Sequence, residues 1–233
     1  MERHRLSSAI VMSIAIIVLG SMLPIAVKDF RAFDRTVTVK GLCEREVEAD
    51  KVIWPINYRV ASNDLSDLTA KMESNRKTIV QFLKDGGIDE SEITFSAPKI
   101  SDKYSQEYVG TDNRRFRYIS QNVITVSTEK VSKVQPLTTR VQELLKAGVI
   151  VSSENYWDDN IQYLFEGLNE IKPDMIHEAT ANARVAAEQF ATDSDSKIGK
   201  IKTASQGTFS IEDRDATTPQ IKRVRVVTSL TYY

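Results

Sequence analysis

Cysteine and histidine are nearly missing from this 233-residue chain, which has one cysteine, Cys43, and two histidines, His4 and His177. A lone cysteine cannot close an intramolecular disulfide. So small a stock of His and Cys also leaves the usual Cys/His zinc site and a Ser-His-Asp triad poorly supplied. Glycine and proline are sparse too, at nine and six residues, which excludes collagen-like and Pro/Gly-rich disordered chains. Neither sign of charge dominates, since 31 basic and 32 acidic side chains leave a net charge of −1. What is present is 41% hydrophobic and 27% charged residues, the balance of a globular body.

One stretch departs from that balance. Leu6–Val27 is 22 residues without a charge, with Arg3 and Arg5 before it and Lys28 after it. At about 1.5 Å per residue, a helix of that length crosses roughly 30 Å of hydrocarbon. A cleaved signal peptide has a shorter apolar core, about 7–15 residues, followed by a small-residue site. Here the small residues Gly20-Ser21-Met22 fall inside the run, and Cys43 lies 16 residues beyond Val27, too far for a lipoprotein cysteine. The expected organisation is a signal anchor at 1–28, a tether at 29–35 and a folded body at 36–233. A cleaved signal is the alternative, and a buried soluble helix comes third. The flanking charges do not decide orientation, because Lys28, Arg31 and Arg35 oppose Arg3 and Arg5. The five-residue head has nothing to fold, so the large domain is expected on the exported side. Residues 29–233 keep 28 basic and 31 acidic groups, a charge of −3 that gives no electrostatic footprint for nucleic acid.

The body reads as alternating strands and helices. In TVTVKGLC, Val37, Val39, Gly41 and Cys43 share one face of a strand; in VIWPINYRV, Val52, Trp54, Ile56, Tyr58 and Val60 do the same. Pro55 lacks the ladder donor and places that second strand at an edge or at a bulge. Ser62-Asn63-Asp64 offers N-caps to a helix carrying Leu65, Leu68, Met72, Ile79 and Leu83, which Gly86-Gly87 ends. Strands are expected at 93–100 and 115–128, joined by the polar loop SDKYSQEYVGTDNR. A helix with Val134, Leu137, Val141, Leu144 and Leu145 should have its first turn near Pro136 and close at Gly148. Strand-like segments at 149–154 and 160–168 precede a helix starting at Pro173, with Ile176, Ala179, Ala183, Ala187 and Phe190 on one face. Its alanines keep it slim. A strand at about 200–211 and the terminal strand IKRVRVVTSLTYY complete an α+β fold with mainly antiparallel sheets packed by helices.

At this level of detail the chain resembles the SIMPL domain family. The resemblance rests on Thr36–Val60, on Leu83-Lys84-Asp85-Gly86-Gly87-Ile88 and on Asp89-Glu90-Ser91-Glu92-Ile93-Thr94. It continues through Pro98 and Tyr104, Tyr118-Ile119-Ser120-Gln121-Asn122-Val123-Ile124-Thr125-Val126, Leu144–Gly148, Glu178–Ala191 and Ile198-Gly199-Lys200-Ile201. These motifs run in order over residues 35–232. Family members often carry Pro-Asp where this chain has Ala49-Asp50, and a Gly-rich join where it has Thr192-Asp193-Ser194-Asp195-Ser196. The resemblance implies an exported α+β domain; some relatives are similar to ring- or channel-like homo-oligomers, and some are linked to envelope or oxidative stress. No catalytic residues are established for the family, so none carry over.

The residues themselves offer few chemical sites. His177, near Asp174 and Glu178, lacks a second nearby His and reads as a solvated or capping histidine rather than a metal ligand. Cys43 reads as a buried small hydrophobe, against an exposed redox-responsive thiol. The acidic groups Asp89/Glu90/Glu92, Asp158/Asp159 and Glu212/Asp213/Asp215 lack the EF-hand pattern and read as solvated turns. Lys222, Arg223 and Arg225 fit either a charged edge-strand face or a surface for anionic lipid or polysaccharide. Tyr104, Tyr108, Tyr118 and Phe116 form the most interface-like group, with packing inside the monomer as the alternative.

The expectation is therefore a non-catalytic, single-pass protein of the inner membrane, anchored through 6–27, with its domain in the periplasm and a role in assembly as a homo-oligomer. It has no catalytic, cofactor-binding or metal residues to assign. The alternative is a periplasmic small-ligand-binding or enzymatic domain built from carboxylates and tyrosines distant in sequence, for which convergent acids of perturbed pKa would be the sign.

Overall fold

A computed structural model describes residues 35–105, 116–151 and 161–233, together with the helical positions Met12, Ser13, Ile17 and Gly20. Apart from those four positions, the proposed anchor lies outside the described residues. So do Tyr108, most of the loop SDKYSQEYVGTDNR, and Asp158/Asp159. Among the described residues no helix is long and apolar enough to cross a membrane. The chain divides into two compact units. One contains residues up to Arg45, Lys172–Ser210 and Arg225–Tyr233; the other contains Glu46–Ile171 and Ile211–Val224.

The second unit is organised by two long antiparallel strands, β2 (Lys51–Ser62) and β5 (Tyr118–Thr128), paired from Val52↔Thr128 to Ser62↔Tyr118. Short strands β3 (Ile93–Phe95) and β4 (Lys99–Asp102) pair with β5, and β6 (Gln162–Leu164) pairs with β2. The period-2 pattern sends Val52, Trp54, Ile56, Tyr58 and Val60 into one core with Ile124 and Val126. Helix α1 (Leu65–Asp85) buries Leu68, Ile79, Phe82 and Leu83 in that core. Each such aliphatic side chain contributes about 1.5–3 kcal/mol by leaving water.

The ends of α1 are set by local chemistry. The Asp64 carboxylate accepts the Asp67 amide at 2.9 Å, so the last of the three N-cap candidates is the one used. At the other end Gly87 takes φ +87, while its amide donates to the Lys84 carbonyl and that of Ile88 to Leu83. This is a Schellman closure, which needs a left-handed residue where glycine stands.

Pro55 sits in β2 without a bulge. The Arg59 amide donates to the Ile150 carbonyl, so alternation points the nitrogen of residue 55 to that same side. Among the described residues, β6 on that side reaches Ile53 and contact resumes at the isolated Tyr58↔Val151 bridge, so none of them needs a donor from residue 55.

Both remaining prolines that were expected to start helices lie inside them. Pro136 is the sixth residue of α2 (Val131–Thr139), and the expected single helix is broken before α3 (Gln142–Lys146). Burial of Val134, Leu137 and Leu144 holds these two short pieces, whereas Leu145, expected on the same face, is half exposed. Pro173 is likewise the sixth residue of α4 (Leu168–Asp193), which begins five residues earlier than expected. A proline at the sixth position removes one ladder donor and crowds the carbonyl four residues back, a cost that burial of the flanking residues offsets.

The first unit is built on parts of β1 (Val37–Glu48) and β9 (Ile221–Tyr232), with β7 (Ile201–Gln206) and α4. The strand order is β1-β9-β7, and β8 (Ser210–Asp213) also pairs with β9. Val39, Ala183, Ala187, Leu230 and Tyr232 form the core. On α4 the buried stripe is Met175, Ala179, Ala183, Ala187 and Ala191, strictly four apart, and Phe190 is 59% exposed. Ala179, Ala183 and Ala187 are buried as expected, while Met175 and Ala191 take the inward places expected of Ile176 and Phe190. Opposite the alanines stands Gly41 on β1, where a Cβ would lie 1.9 Å from the Ala179 carbonyl oxygen and 2.4 Å from the Ala183 nitrogen. The helix rests directly on the strand backbone, a separation that only alanine on one side and glycine on the other permit.

Candidate functional site

A partly enclosed cleft in the second unit follows from a break between β3 and β4. Phe95 pairs with Ile124 and Lys99 with Gln121, and the Ser96 amide still donates to the Val123 carbonyl, so the extra residue falls at Ala97-Pro98, beside a cavity of about 150 Å³ next to α1. Its floor holds Tyr58 and Asn122, both buried, and its rim holds Glu73 and Arg76. The Asn122 amide donates to the Ser120 hydroxyl at 3.0 Å and to the Tyr58 carbonyl at 3.4 Å. The Arg76 guanidinium stacks 3.8 Å from the centre of the Phe95 ring. Burial pushes the Tyr58 phenol above its usual range, and the nearby Arg76 works against that shift. The cavity is smaller than the roughly 300–1,000 Å³ of ordinary ligand pockets. It suits a few waters or a very small polar solute.

The carboxylates elsewhere are arranged for structure. Asp102 is held below the usual carboxylate range first by Arg117, and Glu143 by Arg140. Glu90 is lowered by Lys84. At Glu92 burial opposes ionisation but is outweighed by the Thr128 hydroxyl, the Asp89 amide and Lys130. The hydroxyls of Thr217 and Thr218, followed by Arg214, hold Asp215 strongly ionised. Every resolved carboxylate shift is thus downward, the opposite of what a general acid near neutral pH needs.

The residues singled out in the sequence separate in space. His177 is exposed on α4, and Glu178 beside it pairs with Arg45 at 3.5 Å. Among the described residues no group of three His, Cys, Asp or Glu side chains comes together to hold a metal. Cys43 is 1% exposed; burial first, then a hydrogen bond to Glu178, push its thiol up to about 11. Asp89, Glu90 and Glu92 fold into a 3-10 turn pinned by Lys84 and Lys130. Lys222 is buried and ion-paired with Asp213, while Arg223 and Arg225 face outward. The aromatic group is organised by Arg117, which spacing did not single out. Its guanidinium pairs with Asp102 at 3.0 Å and lies 4.8 Å from the Tyr118 ring and 5.6 Å from that of Tyr104.

An open backbone edge lies at β7. All six of its residues are exposed, and among the described residues it pairs only with β9. The Gly207 amide donates to Val227, so alternation turns the amides of Ala204 and Gln206 away from β9. The register slips between Ile201 and Thr203, leaving Thr203–Gln206 as the regular stretch. The alanine stripe of α4, by contrast, is spent inside the unit.

These elements define an α+β domain of antiparallel sheets and packed helices, with an exposed strand edge at β7. The chain belongs to the SIMPL family, described as a protein of unknown function (DUF541), whose model matches residues 37–232. No curated protein matches it.

Proposed function

We propose that this SIMPL-domain chain is a single-pass protein of the inner membrane whose domain faces the periplasm and assembles with copies of itself, without catalysis. The exposed edge of β7 carries the reading. An unpaired strand edge adds a strand from a partner through main-chain hydrogen bonds, each worth about 0.5–1.5 kcal/mol net. The uncharged run Leu6–Val27 supports the anchor, since it matches the length a spanning helix requires.

The variant Ala204→Pro tests the edge. Its nitrogen points away from β9, so proline removes an outward donor and leaves the β9 ladder intact. The expected result is a smaller particle in light scattering with an unchanged circular dichroism spectrum. An oligomer of unchanged mass would refute strand addition at β7.

A further inference from the structure

The first unit has a second open feature, at the end where the chain enters it. A cleft of about 500 Å³ lies between the start of β1 and the C-terminal end of α4, lined among others by Arg35, Thr36, Phe190, Ser194, Lys197 and Tyr233. Phe190 is 59% and Tyr233 39% exposed, and Ile201, just beyond the cleft, is 49% exposed. Lys202 reaches over the Tyr233 ring at 5.1 Å, and the Tyr233 amide donates to the Lys200 carbonyl. Arg35 and Lys197 thus line a cleft that also holds two exposed aromatic rings, and Lys202 lies over one of them, with Asp193 and Asp195 as acidic residues at the α4 end. This is a locally basic, amphipathic end on a body that carries −3 overall.

We infer that this end of the domain docks on the membrane, with Arg35 and Lys197 receiving the phosphate groups of anionic lipids and Phe190 and Tyr233 lying at headgroup depth. The inference rests on the anchored reading above. Eight residue steps separate Val27 from Arg35, so at about 3.3–3.6 Å per step the cleft lies within roughly 29 Å of the end of the apolar run. Basic side chains beside exposed aromatics match the composition of a membrane interface, where the surface is negative and the rings are amphipathic. Ser194 and Ser196 are engaged in closing α4, through the Phe190 and Ala191 carbonyls. Of the basic residues, Arg35 and Lys197 are the ones that line the cleft itself.

The test is hydrogen exchange of the full chain in lipid nanodiscs of phosphatidylcholine alone or with half phosphatidylglycerol. Amides of 190–202 are expected to exchange at least about fivefold more slowly with the anionic lipid, the worth of roughly one basic contact at a membrane surface. Raising the salt or substituting Arg35→Glu with Lys197→Glu should remove the difference, while Lys77→Glu on α1 should not. Equal exchange in both lipids, in a chain that has entered both discs, overturns this inference and leaves the anchor standing. Protection that follows protein concentration and not lipid assigns the patch to a second copy and also overturns it. A chain that enters neither disc overturns the anchored reading and this inference together.

Discussion

Replacing Gly41 by alanine should unfold the first unit more readily, although the general rule for a strand interior has the opposite sign. A glycine inside a strand ordinarily costs about 0.5–1 kcal/mol relative to alanine, because it loses more backbone freedom on folding. At Gly41 the added methyl would sit 1.9 Å from the Ala179 carbonyl oxygen, 2.4 Å from the Ala183 nitrogen and 2.8 Å from the Ala183 Cβ. Ordinary contact begins near 3.4 Å, so α4 must retreat by about 1.5 Å. Two of the three obstructing atoms are backbone, so no side-chain rotation relieves the clash. A gap of 0.5–1 Å already forfeits about a quarter to a half of a dispersion contact, and overpacking of this kind costs about 1–3 kcal/mol or more. The retreat would loosen Ala183 and Ala187 from Val39, Leu230 and Tyr232 together. The net expectation is a loss of about 3 kcal/mol, near the upper end of that range, after the glycine gain is subtracted. Urea unfolding followed by circular dichroism measures it, and hydrogen exchange in α4 locates it. A variant as stable as the parent, or more stable, would refute the close helix–strand contact.

Two other substitutions test local chemistry. Cys43, with its thiol pushed up to about 11, should react with a thiol reagent at pH 8 far more slowly in the native chain than in urea. Because the folded thiol holds its proton more tightly than the unfolded one, its contribution is full below about pH 8.5 and fades as pH rises toward the folded value. Cys43→Ala should flatten that part of the stability profile, and rapid native labelling would remove the buried assignment. Asp195 takes φ +52 directly after α4, where the Ser196 amide donates to the Ala191 carbonyl. Asp195→Gly should therefore stabilise the chain by about 0.5–1 kcal/mol in the same urea titration, since glycine adopts that conformation without strain. A loss of stability would show that the carboxylate contributes more than the strain costs.

Wherever one face of an element is buried by its own periodicity, the sequence was readable. The alternations in β1, β2 and β9 and both ends of α1 follow directly from residue order. Misreadings occurred where a non-local contact decided the outcome. Local preference puts a helix start at Pro173 and a first turn near Pro136, yet each is accommodated at the sixth position of a helix held by flanking burial. Spacing puts Phe190 inward with Ala179, Ala183 and Ala187, whereas the buried stripe ends on Ala191; that Gly41 receives Ala179 and Ala183 backbone to backbone is a contact no local pattern shows. At Thr192–Ser196 the residue order does not show the turn, because Asp195 stands in a left-handed position that favours glycine. Arg117 organises the aromatic group through Asp102, a pairing of residues 15 apart that no spacing rule singles out. The open edge of β7 was equally hidden, since edge position depends on which strands pair and not on the strand's own residues.

The mass of the protein as it leaves the membrane tests the anchor and the assembly most directly. Extracted in mild detergent, the full chain should show an intact N-terminus by mass spectrometry and a multi-subunit particle by light scattering. A chain processed after the apolar run that behaves as a monodisperse monomer would contradict both the anchor and the assembly.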